Sequence, residues 1–404
     1  MPKIGEIPLT SVDEFDFRLL IKALGKGEKG SRSLTFAEAS LLIQGFAKGK
    51  VSRPQMAAAM MLMRVRGETI NEVAGVVAGL RQICHRAWSE LVVDIDWPVY
   101  AGKREQLPWL LLVAKLLANK GIKVMLHGDS QALPHRRHVE SCIQALGIKA
   151  CVTAVQAKAA LAADNIVYVG AGNFTAVLDE CRLLHQELGL RSIIQTASRC
   201  MNPANAPISL RSYFHPGLDD LHQQVCQILI AEHEYTNGSI AIFKGLQGET
   251  EINPRVTTQV RIVNSMAGEV LVSEISIPTL LEGFCGAKTG QAELSADVLA
   301  LLWREVSPFG SKALAERMSA AMIEQAISSI EATLVMLIPL ICQNRADLSP
   351  NTTPSFFCQL KVLNADVDCN EQLIKLSKMV WRNRFESLMS NPKTVRKEQS
   401  LCAL

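Results

Sequence analysis

The sequence predicts an α/β protein: an N-terminal helical domain, then a larger domain of mostly parallel β-sheet flanked by helices. Three observations carry this expectation. Capping-box spacings recur through residues 12–90, buried-strand pieces alternate with helix-length pieces after residue 91, and aromatic residues are only 5% of the 404, few for an all-β architecture. The length exceeds what one core usually serves. The boundaries fall at 1–90, 91–345 and 346–404, the last read as a helical appendage.

In the first domain Thr35-x-x-Glu38, Ser52-x-x-Gln55 and Thr69-x-x-Glu72 have capping-box form, in which a hydroxyl and a carboxylate or amide satisfy the free amides of a helix start. At least three helices begin there. Met56, Met60, Met61 and Met63 mix with alanines, the composition of a tightly packed helix. Beyond residue 91, Leu91-Val92-Val93-Asp94-Ile95, Lys123-Val124-Met125-Leu126, Ile166-Val167-Tyr168-Val169, Ser192-Ile193-Ile194 and Ser239-Ile240-Ala241-Ile242-Phe243 read as short buried strands. Stretches 107–120, 138–146, 174–188 and 218–233 have helical length and apolar spacing. Val260-Arg261-Ile262-Val263 and Val270-Leu271-Val272 flank residues 266–269 as a hairpin. Residues 292–342 return to helix, a loop follows at 349–354, and a last helix runs from 370 to 389.

A hydrophobic share of 48% and a mean hydropathy of +0.15 describe a folded globular chain. The longest apolar run, 334–342, contains Pro339 and falls short of the roughly 20 residues a membrane helix needs. No basic patch leads into an apolar stretch at the start, so the expectation is a soluble, cytoplasmic protein with no membrane partner. Eleven cysteines without a CxxC pair read as reduced, buried thiols rather than a zinc site. The net charge of +3 says little about partners. Local clusters say more: Lys103-Arg104, His135-Arg136-Arg137-His138, and Lys393 with Arg396-Lys397 suit a phosphate backbone, as they suit an ordinary solvated surface.

The run Met63-Arg64-Val65-Arg66-Gly67-Glu68-Thr69, with residues 34–49 before it and 71–81 after it, resembles the helical domain of anthranilate phosphoribosyltransferases. Those enzymes share a fold with the pyrimidine nucleoside phosphorylases. Further anchors are His127-Gly128, Leu188-Gly189-Leu190-Arg191, Asn202-Pro203 and residues 248–254, and the resemblance extends from 13 to 283. It implies that fold, and a homodimer formed through the N-terminal helices.

The family's phosphate and substrate elements are altered. Its turn Gly-Thr-Gly-Gly-Asp, which presents amides to pyrophosphate, falls on Pro98-Val99-Tyr100-Ala101-Gly102-Lys103-Arg104, with one glycine. Asn-x-Ser-Thr falls on Leu107-Pro108-Trp109-Leu110, and Lys-His-Gly-Asn-Arg on Leu126-His127-Gly128-Asp129-Ser130. His185 stands where the family places an arginine for the aromatic acid, and Arg199 enters in Ser198-Arg199-Cys200-Met201-Asn202-Pro203 where a rigid turn belongs. The magnesium-organising Asp-Glu pair aligns with Thr250-Glu251. Glu249 and Glu251 remain as an alternative magnesium position, although carboxylates one residue apart on a loop are usually just solvated.

Because transfer of a phosphoribosyl group is mostly positioning and charge neutralisation, these joint departures imply that the chain does not make phosphoribosyl anthranilate. No catalytic residue is nominated. Tyr100-Ala101-Gly102-Lys103-Arg104 and Leu126-His127-Gly128 are similar to the Tyr-x-Gly-x-Arg-Lys and Val-His-Gly segments of a branch of this family that binds nucleic acid without evident sequence preference. The resemblance thus implies low-specificity nucleic-acid binding without a cofactor. The residues that would carry it are Gly102, Lys103, Arg104, His127, Gly128, Arg136, Arg137 and Arg199, on segments following strands. His127-Gly128 also reads as a turn that the fold requires. The alternative is a phosphoribosyl or pentosyl transferase with an altered substrate.

Overall fold

The computed structural model describes residues 7–385 except 28, 105, 130–135, 236–237, 267–268, 283–293 and 345–368. The expected loop at 349–354, His135, Ser130 and the basic group at 393–397 lie outside the described residues. Helices α1 (Arg18–Gly25), α2 (Phe36–Ala47), α3 (Arg53–Arg66) and α4 (Ile70–Ile83) build the first domain. All three predicted capping boxes are formed, at Thr35, Ser52 and Thr69. Met56, Met60 and Met63 are buried in its core. Glycine is required where α4 crosses α2, since a Cβ at Gly75 would overlap the Phe36 carbonyl oxygen and one at Gly79 would lie 2.8 Å from that of Ser40.

Glu72 ties the turn between α3 and α4 together. Its buried carboxylate accepts from Leu34 N and Thr69 N, each at 2.9 Å, and from the Arg66 guanidinium. The run around residue 67 is therefore a structural joint. Arg81 then fastens α4 to the second domain, donating to the carbonyls of Met201 and Asn202 and to Asn205 Oδ1. The Asn202-Pro203 anchor is the turn it grips.

The second domain holds β1 (Ile95–Pro98), α5 (Leu110–Asn119), β2 (Val124–Gly128), α6 (Glu140–Ile143), β3 (Ala150–Cys151), α7 (Ala154–Asp164), β4 (Ile166–Gly170), α8 (Ala176–Leu188), α9 (Ile193–Ser198), β5 (Ile208–Tyr213), α10 (Leu218–Ala231), β6 (Gly238–Leu246), β7 (Glu249–Ile252), β8 (Thr258–Met266) and β9 (Glu269–Ile277). The sheet order is β3-β4-β2-β1-β5-β6-β8-β9. It is parallel up to β6 and antiparallel beyond, with β7 paired antiparallel to β6. Alternate residues enter different cores. Val124, Leu126, Ala241 and Phe243 face α5 and the C-terminal helices, whereas Met125, Ile240 and Ile242 join the core that includes the helical domain.

The structure corrects several sequence expectations. Ser192-Ile193-Ile194 is not a strand: the Ser192 hydroxyl accepts from Ile194 N and caps α9. The first strand starts at Ile95, the end of the stretch expected to hold it, and β3, α7 and β5 were not expected. β5 evaded detection because its second face carries Ser209 and Arg211, both buried, in place of an apolar row. The predicted hairpin is present as β8 and β9.

Helices α11 (Asp297–Arg304), α12 (Lys312–Ala315), α13 (Ala320–Asn344) and α14 (Cys369–Arg382) complete the chain. α13 is long and apolar enough to cross a membrane, yet most of it is buried in the protein, against β7 and α5. α14 packs on α13. Arg384 just beyond it lies over the Trp381 ring at 4.3 Å and donates to the Trp303 carbonyl at 2.8 Å.

Two consequences are measurable by urea unfolding. Gly75→Ala lowers stability by about 1–3 kcal/mol, although alanine favours a helix interior by about 1 kcal/mol, because the interhelical clash dominates. Burial pushes the Glu331 carboxyl on α13 up to about 6, partly opposed by Lys378 and Arg382. A carboxyl raised in the folded state binds more protons there, so its contribution is present below the usual glutamate range and is lost as pH rises through 6. Glu331→Gln is therefore expected to be more stable than the parent above pH 6 by about 1–2 kcal/mol, the difference vanishing near pH 4.

Candidate functional site

The connection from β1 to α5 lies at the carboxyl ends of the parallel strands, where ligands bind in open α/β sheets. Its amides are already engaged. Ala101 N and Gly102 N both donate to Glu249 Oε1, the second at 2.7 Å, and Leu110 N, at the start of α5, donates to Glu251 Oε2 at 2.7 Å. Lys103 Nζ pairs with Glu251 Oε1, and both side chains are fully buried. Gly102 adopts φ +67°, and a Cβ there would lie 2.9 Å from that of Arg136. Two carboxylates thus take amides of the kind that a glycine turn and a helix start offer to phosphate.

β7 is held in place to deliver them. Ile252 N donates to Thr333 Oγ1 at 3.0 Å and Ser329 Oγ to the Ile252 carbonyl at 2.9 Å, both partners on α13. Trp97 Nε1 donates to the Thr250 carbonyl at 2.9 Å. Gln247 and Gly248, at φ +58° and +88°, make the tight turn from β6. Glu249 and Glu251 are therefore buried strand residues, not the solvated loop carboxylates expected from sequence. Burial pushes both carboxyls above the usual carboxylate range, opposed mainly by Arg199 at Glu249 and by Lys103 at Glu251. A lysine ammonium sits beside Glu251, where the magnesium alternative needs a metal. Among the described residues no group of three or more His, Cys, Asp or Glu is arranged to hold one.

The eight residues nominated from sequence divide. His127 is buried, with Nε2 2.9 Å from Asp96 Oδ1 and Nδ1 2.9 Å from the Tyr100 hydroxyl, while Ser209 Oγ donates to Asp96 Oδ2 at 2.8 Å. With Tyr100 donating to Nδ1, the Nε2 proton faces the carboxylate. At Gly128 a Cβ would overlap the Val99 carbonyl oxygen, so that glycine serves the chain crossing. Lys103 is committed to Glu251, Gly102 to Glu249, and Arg137 donates to the Leu294 carbonyl. These five do not form a cationic rim.

Arg104, Arg136 and Arg199 do come together, lining a cleft of about 380 Å³. Arg64 from α3 and Arg191 from the turn before α9 join them, with Glu68 across from the second domain. Arg136 donates to the Ala101, Gly102 and Gln247 carbonyls, and Arg199 to the Ser212 and Gly248 carbonyls. Among the described residues none of Arg104, Arg136, Arg191 and Arg199 has a carboxylate within ion-pair distance, and Arg64 has only Glu68 at 3.9 Å. Burial lowers the Arg191 guanidinium, with repulsion from Arg199, Arg64 and Arg104 adding to it. Arg136 is lowered likewise by burial, Arg191 and Arg104. Such a cluster stays charged and attracts anions. Arg64 and Arg191 stood in the sequence only as markers of ancestry; their convergence belongs to the tertiary fold.

Lys103→Met strands the Glu251 charge in the interior and is expected to cost about 3–5 kcal/mol in urea unfolding. Adding Glu251→Gln, which removes the charge and keeps an acceptor for Leu110 N, restores most of that loss.

Known proteins resemble this chain in sequence and in fold. Residues 18–84 match the helical bundle domain of the glycosyl transferase family. The Escherichia coli (strain K12) protein YbiB is 24% identical over 262 residues, covering 63% of this chain and 79% of that protein. The anthranilate phosphoribosyltransferase of Actinobacillus pleuropneumoniae serotype 5b (strain L20) is 25% identical over 249 residues, covering 61% and 68%. The crystal structure of the anthranilate phosphoribosyltransferase of Thermus thermophilus superimposes with a TM-score of 0.56 at 17% identity, covering 91% of this chain and 96% of that one. The Saccharomyces cerevisiae enzyme in complex with PRPP and Mg gives 0.60 at 11% identity, with 92% and 95% covered. Residues 18–84 thus match the helical bundle domain of the glycosyl transferase family, and the chain is similar in sequence to YbiB and to anthranilate phosphoribosyltransferases and shares the fold of the latter.

Proposed function

We propose that this protein binds nucleic acid through the phosphate backbone at its arginine-lined cleft, with little sequence preference and without phosphoribosyl transfer. One observation carries the reading: the amides suited to a pyrophosphate are filled by Glu249 and Glu251, while five arginines, whose one carboxylate partner among the described residues is Glu68, line the adjacent cleft. Guanidinium groups engage a phosphodiester bidentately and need no glycine cradle. No base edge has a dedicated reader in this reading, so affinity rests on charge. The protein would act in the cytoplasm as a homodimer through its N-terminal helices. No cofactor enters this reading.

The transferase alternative draws on the sequence relation to the anthranilate enzymes, and magnesium-dependent affinity for phosphoribosyl pyrophosphate would support it. Against it stands the geometry of β7, because a diphosphate would have to displace two buried carboxylates before it met an amide.

Fluorescence anisotropy with a short labelled DNA duplex tests the proposal across a salt series. Binding is expected at low salt, with log Kd rising against log salt at a slope of about 2.7 to 4.5 if three to five arginines each neutralise one phosphate. Arg191→Ala lowers that slope by about 1, and the double change Arg104→Glu with Arg191→Glu abolishes binding. No binding at low salt would sink the reading.

A further inference from the structure

The loop after β5 brings an exposed aromatic pair to the arginine cleft. Phe214 and His215 both line it, and Phe214 is 52% exposed. Their rings meet edge to face with centroids 5.1 Å apart. A single exposed phenylalanine on a surface means little by itself. Here its position is fixed by the elements that hold the cations. A Cβ at Gly248 would touch Phe214 Cβ at 3.5 Å, and the Gly248 carbonyl accepts from Arg199 Nη1 at 3.4 Å. Only one residue therefore separates the ring from a guanidinium at the floor of the cleft. On the other side of the same turn Arg136 donates to the Gln247 carbonyl at 3.4 Å. The nearby acids, Asp219 and Asp220, are taken up by Arg261 at 3.6 and 2.6 Å and leave the ring's cationic surroundings intact.

A flat, half-exposed ring beside guanidinium groups matches a nucleotide that is not paired, whose base stacks while its phosphates meet the arginines. A duplex offers the same phosphates but keeps its bases stacked on each other. We infer that Phe214, braced by His215, is a base-stacking platform, so that the cleft takes a single-stranded segment with one base seated on the ring. This rests on the nucleic-acid reading above and adds to it a second kind of contact.

The test compares the full chain and its variants on a labelled oligothymidylate and a duplex of matched length, at one salt concentration. Stacking is worth about 1–3 kcal/mol per base, so Phe214→Ala is expected to weaken single-strand binding by about 5- to 150-fold, and by at least about 5-fold more than it weakens duplex binding. Phe214→Trp, which keeps a larger ring, restores the single-strand affinity. Phe214 is half exposed and makes no hydrogen bond, so an unchanged thermal melt certifies the fold of both variants. Equal losses on both probes, or no loss on either, overturn the stacking platform while duplex binding by the parent leaves the backbone reading standing. Failure of the parent to bind either probe overturns both.

Discussion

A carboxylate can be buried only where hydrogen bonds and opposite charge replace its water, and β7 meets that condition twice. Glu249 finds two backbone amides with Arg199 nearby, and Glu251 finds Leu110 N and the Lys103 ammonium. The rest of the site follows from this arrangement. β7 must lie against Ala101, Gly102, Lys103 and Leu110, so α13 supplies Ser329 and Thr333 to hold it and Trp97 donates to the Thr250 carbonyl. The turn at Gln247 and Gly248 is then fixed, and through it the seats of Arg136 and Arg199.

The arginine cleft and the filled cradle are two sides of one design. Internal carboxylates satisfy the amides, which would otherwise need an anion from outside. They do not reach the outer guanidinium groups. Arg64, from the helical domain, and Arg104 thus both repel Arg191. Such repulsion lowers stability locally, and an anion bound in the cleft would relieve it.

Local chemistry was legible in the sequence, and distant pairing was not. The capping boxes at Thr35, Ser52 and Thr69 formed as expected because both partners lie within one turn. Runs such as Ile166-Val167-Tyr168-Val169 announced strands because both faces of the sheet are covered and every position is apolar. Ser192-Ile193-Ile194 has the same composition but begins with a helix cap, and three apolar residues cannot tell the two apart. Lys103 looked like a free cation because its counter-charge stands 148 residues away. His127 looked like a ligand because nothing in its neighbourhood announced Asp96 on the adjacent strand. The altered phosphate motifs were readable as losses; that Glu249 fills their place was not.

That separation of 148 residues between Ala101 and Glu249 also has a meaning in time. A ribosome adding about 5–20 residues per second needs roughly 7–30 s to make the stretch between them. During that interval the Ala101, Gly102 and Leu110 amides have been made without the carboxylates that accept from them. Until Glu249 and Glu251 emerge, water must satisfy those amides in the nascent chain.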